Sequence, residues 1–118
     1  MMLPSGNDAA QVLAIHFGLL LIREALKSTL KKGVEIHKWE IDVTNLDMSN
    51  YVELEHKTDI IDYALVEFYR EMNMQAAVLK LQHTHFFSAH GMHHDRNYSS
   101  AHDVARISYF CMRNSTFK

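Results

Sequence analysis

His83-Thr84-His85-Phe86-Phe87-Ser88-Ala89-His90-Gly91-Met92-His93-His94-Asp95-Arg96-Asn97-Tyr98-Ser99-Ser100-Ala101-His102-Asp103 is the stretch on which the fold turns. It holds six of the nine histidines and separates two segments of helical periodicity. Thr84-His85-Phe86 has the character of a short extended piece, and His90-Gly91 that of a turn. Ser100-Ala101-His102-Asp103 has capping-box spacing, with Asp where Glu or Gln is usual, so a helix is expected to start there.

Working backwards, Thr58-Asp59 opens a long helical pattern. Ile61, Leu65, Phe68, Met72, Ala76 and Leu79 recur at spacings of three and four, one apolar stripe over about six turns. Asp59 and Asp62 at its start and Lys80 at its end suit the helix dipole. Working forwards, Val104, Ile107 and Cys111 form the expected buried face of the last helix. At the other end of the chain, Ser5, Asn7 or Asp8 can cap a helix running from Ala9 to about Leu30, with Gly33 as its stop. Apolar residues surround most of the first half of that helix, which predicts deep burial. Residues 34–57 are less regular. Val34-Glu35-Ile36-His37 and Trp39-Glu40-Ile41-Asp42-Val43 alternate like strands but in different registers, and turn-forming residues follow from Thr44 to Asn50.

The chain has 118 residues, enough for one domain or part of one. Its apolar fraction of 47% argues for a folded chain, and its formal charge of −2 gives no basic footprint for nucleic acid. The single cysteine, Cys111, has no partner for an internal disulfide and is expected to be a buried, inert thiol. The longest apolar run, residues 12–22, falls short of the roughly 20 residues a bilayer-spanning helix needs, so no membrane span is expected. With Asp8 upstream and no basic residue before it, that run does not have the form of a signal peptide either.

Two short motifs are weak on their own. Ser28-Thr29-Leu30-Lys31 matches S-x-x-K, the pairing in which a lysine amine activates a serine hydroxyl. Lys57-Thr58-Asp59 approaches K-T-G, with Asp in place of the glycine. The histidines invite a metal hypothesis, His90 and His93 being three apart. Paired ligand pairs and H-E-x-x-H are both missing, so no metal ligand is assigned. Ser5-Gly6-Asn7 alone is a helix-capping turn.

Taken together, these pieces acquire an order. Ser5-Gly6-Asn7-Asp8-Ala9-Ala10 resembles the second motif of the serine-type D-alanyl-D-alanine carboxypeptidases, the low-molecular-weight penicillin-binding proteins of peptidase family S11. Phe68-Tyr69-Arg70-Glu71-Met72-Asn73 is similar to the Phe-x-x-x-Met-Asn helix of that family. His83-Thr84-His85-Phe86, His90-Gly91-Met92 and Tyr98-Ser99-Ser100-Ala101-His102-Asp103 follow in the order of its Asn-Thr-His-Phe strand, His-Gly-Leu turn and Tyr-Ser-Thr-Ala-x-Asp helix start. The resemblance covers about half the chain and is strongest in its second half. It implies a mainly α fold with at most short strands, the helical part of the α/β transpeptidase fold shared by β-lactamases and penicillin-binding proteins.

The family joins its Ser-Gly-Asn motif to the Phe-x-x-x-Met-Asn helix by a shorter path, so residues 24–58 are expected to be an insertion. The chain then divides into 1–23, the insertion, and 59–118, all in one partial domain. Both weak motifs fall in the insertion and out of family order, which makes Ser28-to-Lys31 and Lys57-to-Asp59 decoys. The resemblance implies peptidoglycan stem-peptide hydrolysis through an acyl-serine, with a stem peptide or β-lactam as partner and no cofactor. Ser5 would match the proton-relaying serine, and Asn7 the asparagine that holds the substrate peptide. His90 and Gly91 would shape the edge of the site. Its implied location is extracytoplasmic. The expected nature of this chain is a fragment or degenerate relative without the nucleophile. The alternatives are a non-catalytic helical binding module and a histidine-rich metal-binding protein.

Overall fold

In the computed structural model, residues 6–30 and 58–117 are described. They hold three helices, α1 (Asn7–Leu30), α2 (Thr58–Val78) and α3 (Ala101–Arg113). Among the described residues the only extended pairing is an isolated antiparallel bridge between His85 and Tyr98. The expected mainly helical architecture is what is found. Residues 34–57, with the alternating segments, Gly33 and Trp39, lie outside the described part.

Two compact units divide the chain, the first ending at Phe68 and the second starting at Tyr69. In the first unit, Leu19, Ile22 and Leu26 of α1 form a core with Ile60 and Ala64 of α2, and Ile15 packs on its edge. The α1 spacing of four, three and four residues puts these side chains on one stripe. Gly18 lets the two helices approach closely. A Cβ there would overlap the Ala64 carbonyl oxygen and lie 2.6 Å from its carbonyl carbon. Phe17 and Phe68 stack with ring centres 6.5 Å apart.

Two expectations about burial need correction. The first half of α1 is not sunk in a core, since Val12, Leu13, Phe17 and Leu20 are exposed, Phe17 by 48%. One stripe meets α2, and no described element covers the opposite side. In the first half of α2 the buried positions are Ile60 and Ala64, one residue before the expected Ile61 and Leu65, which are half-buried, whereas Ala76 further along is buried as expected. The backbone approach at Gly18 selects the small Ala64 as the contact point.

The count of apolar residues over 12–22 also understated α1. The helix is 24 residues long, and Asn7–Thr29 is long and apolar enough to cross a membrane, with a mean hydropathy of 1.5. The core helix of a soluble protein meets the same criterion, and α1 does contribute three buried residues, Leu19, Ile22 and Leu26, to a core stripe, with Ala14 buried besides. Near its end, the helix runs unbroken through residue 24, where the insertion was expected to begin.

In the second unit, α2 ends in a reversal at Lys80, the one described non-glycine residue with positive φ, 56°. The Leu81 N–H donates to the Ala76 carbonyl at 2.9 Å and the Lys80 N–H to that of Ala77 at 2.9 Å. This is the Schellman pattern, with buried Leu81 and Ala76 as its apolar pair and Lys80 where glycine is usual. The Arg106 Nε caps a further orphan carbonyl, that of Leu79, at 2.7 Å.

Candidate functional site

The histidine-rich connection is held at two points by side chains that read backbone. Asn73, on α2, presents both ends of its carboxamide to Phe86. Its Nδ2 donates to the Phe86 carbonyl at 2.7 Å, and its Oδ1 accepts the Phe86 N–H at 2.8 Å. The same Nδ2 donates to the Tyr69 carbonyl at 2.9 Å. A carboxamide alone among side chains of this reach offers a donor and an acceptor side by side, so it pairs with a strand segment as another strand would.

Asp103, at the start of α3, is the second point. Its carboxylate is buried, at 1% exposure. Oδ2 accepts the His83 N–H and the Thr84 hydroxyl, both at 2.8 Å. Oδ1 lies 3.4 Å from the His102 ring. Burial pushes the carboxyl up, but these donors together outweigh it and hold Asp103 below the ordinary carboxylate range. Half of the expected capping box forms: the Asp103 N–H donates to the Ser100 hydroxyl at 3.2 Å. The carboxylate turns to the His83-Thr84 segment, tying α3 to the chain 20 residues earlier.

Between these anchors, the His85–Tyr98 bridge closes the loop with bonds of 2.9 and 3.0 Å, and the two rings stack. The histidines act mostly as local scaffolding. His85 Nδ1 donates to the Arg96 carbonyl at 2.8 Å, since a carbonyl only accepts. His90 Nδ1 accepts the Met92 N–H at 3.3 Å and His94 Nδ1 that of Arg96 at 3.1 Å. Phe87 packs against the His94 ring, 4.1 Å away between centres, and against the Arg96 guanidinium, 3.8 Å from its centre. Beside them, Asn97 accepts the Phe87 N–H at 3.3 Å and donates to Ser88, whose hydroxyl donates to the His90 carbonyl. Burial raises the Tyr69 phenol above its usual value, opposed by a hydrogen bond from the Ala89 backbone. Among the described residues, no three His, Cys, Asp or Glu side chains are placed to hold a metal ion.

The model of the D-alanyl-D-alanine carboxypeptidase family matches residues 58–118, just over half of the chain. The chain belongs to this family. Asn73, His85, Tyr98 and Asp103, which fasten the loop, all fall within the matched residues, so the carboxypeptidase match and the clasp are one region. No curated protein and no solved structure gives a significant match.

The Ser5-Gly6-Asn7 motif lies before the matched stretch. Ser5 is outside the described residues, and Asn7 is the first residue of α1, half-buried, in the first unit. The Gly6 carbonyl accepts the Ala10 N–H at 3.1 Å, the first bond of that helix. His90 and Gly91 belong to the second unit, where Gly91 is exposed in an open turn. Ser28, in the S-x-x-K match, is exposed on α1 and donates its hydroxyl to the Ala25 carbonyl at 2.7 Å. Lys31 and Lys57 lie outside the described residues.

Two expectations about α3 are corrected. Val104 is 51% exposed, and Ile107 and Cys111 are only half-buried. The helix is fastened through Asp103, its one buried residue, instead of through an apolar face. The sequence pointed to no anchoring role for Asn73, and for the Asp103 carboxylate it pointed only to the capping box, not to His83 and Thr84. The signal for Asn73 was present: an amide beside the apolar stripe of α2, at the end of the Phe-x-x-x-Met-Asn pattern.

Proposed function

We propose that this chain provides the helical wall of a D-alanyl-D-alanine carboxypeptidase-type site and does not itself form an acyl-enzyme. The observation that carries the reading is the order of its motifs. The clasped segment matched to the family is preceded by Ser5-Gly6-Asn7, while the S-x-x-K match at Ser28 follows that motif instead of leading it. Ser28 also has its hydroxyl turned back to its own helix, at Ala25. A nucleophilic serine needs a base within hydrogen-bond reach.

In this reading, Ser5 relays protons and the Asn7 carboxamide aligns the peptide of a peptidoglycan stem peptide or a β-lactam. A hydroxyl shuttles protons, and a carboxamide supplies the donor and acceptor an amide requires. His90 and Gly91 border the site without taking part in bond making. The clasped loop is the part fastened by Asn73 and Asp103. The competing reading, a helical binding module of the same descent, draws on the same displaced S-x-x-K motif and differs only in lacking any stem-peptide ligand.

The test is incubation with a fluorescent penicillin followed by denaturing electrophoresis. No covalent band is expected. A covalent band abolished by Ser28→Ala would overturn the proposal. Saturable, non-covalent binding of a D-Ala-D-Ala peptide, lost in Asn7→Ala, separates the site-wall reading from a general binding module.

A further inference from the structure

A cleft of about 520 Å³ opens in the second unit, lined by Lys80, Gln82, His83, Ser100, His102, Asp103 and Arg106. It contains none of the residues assigned above to peptide binding. Its chemistry is dominated by donors. Lys80 and Arg106 bring an amine and a guanidinium, the basic donors of the lining, and Gln82, Ser100 and two imidazoles supply further polar groups.

Two of these groups have nothing to hold. No hydrogen bond or ion pair within the described residues engages the Lys80 amine or the Gln82 carboxamide. Arg106 uses Nε for the Leu79 carbonyl and has its guanidinium 5.9 Å from the Phe110 ring, which leaves its terminal N–H groups unmatched. The one acidic residue present does not neutralise them. Asp103 is buried, and its carboxylate already accepts from His83, Thr84 and His102.

Lys80 adds an independent point. It holds a left-handed backbone, φ 56°, at the helix-terminal position that glycine occupies without strain. A glycine would make a better stop. What lysine adds there is an amine at the cleft.

We propose that this cleft binds a small oxyanion, with Lys80 and Arg106 as its charge partners and the Gln82 carboxamide as a neutral donor. The ligand class is a phosphate or carboxylate group, whether free or carried at the end of a larger molecule. Strain at Lys80 is then retained for ligand charge, a local exchange of stability for binding.

The experiment is an amide NMR titration of the whole chain with inorganic phosphate, repeated with acetate and with sodium chloride at matched ionic strength. Saturable shifts at Lys80, Gln82 and His102 are expected with phosphate or acetate and not with chloride. The stronger of the two identifies the group. Lys80→Gly should raise the melting temperature while weakening binding about tenfold, the loss of one charge-assisted contact. Lys80→Gln, which keeps the strained backbone and removes the charge, should weaken binding equally without the gain in melting temperature. Equal shifts with chloride, no saturation, or unchanged affinity in both variants would overturn the proposal. None of these outcomes bears on penicillin reactivity.

Discussion

At the scale of single residues, polar side chains aimed at backbone define this part of the molecule better than apolar burial does. Asn73 shows why residue type matters to the atom. Its carboxamide supplies a donor to two carbonyls and an acceptor to one N–H. Asn73→Asp preserves size but removes the donor, setting an acceptor against the carbonyls of Tyr69 and Phe86. The expected cost is about 2 kcal/mol, the range for a partly buried polar group left without its partner. Denaturant unfolding measures it, and amide hydrogen exchange at Phe86 should quicken in the same variant. An unchanged unfolding midpoint would mean that the Phe86 segment is held by other contacts.

At the scale of elements, the helices were the legible part of the sequence. The stripe on α2 and the capping residues before α3 predict their extents closely, because both signals are local. What packs against what was less legible. The contact of α1 with α2 centres on Gly18 and Ala64, and a glycine inside an apolar run gives no hint of the backbone it will meet. The same holds for α3, where the apolar positions Val104 and Ile107 suggested a face and the carboxylate of Asp103 supplied the attachment. That choice depends on His83 and Thr84, distant in sequence, so no periodicity could reveal it. Gly18→Ala tests the helix contact directly. Alanine favours an isolated helix by up to about 1 kcal/mol over glycine. Here its methyl group would meet the Ala64 carbonyl, so a net loss of roughly 1–3 kcal/mol is expected instead, as for other overpacked contacts. Thermal melting decides, and a stabilised variant would show that α1 and α2 do not approach as closely as the structure has them.

At the scale of the whole molecule, the histidine-rich segment raised the question of pH, but the residue that most clearly couples stability to pH is a carboxylate. Asp103 is held below its ordinary range by the His83 N–H, the Thr84 hydroxyl and the His102 ring, against the opposing effect of its burial. In the unfolded chain those donors are gone and its pKa returns to about 4. Between the folded and unfolded values the unfolded chain binds more protons, so stability there rises with pH. The contribution is fully present above about pH 4 and is lost as pH falls through the lower folded value. Asp103→Asn keeps the size and an acceptor oxygen but cannot ionise. Its melting temperature should lie below that of the natural chain at neutral pH, and the gap should narrow as the solution is acidified below about pH 4. Melting curves of both proteins across that range, at fixed ionic strength, measure the gap. A gap that stays constant with pH would show that the clasp depends on the shape of the side chain and not on its charge.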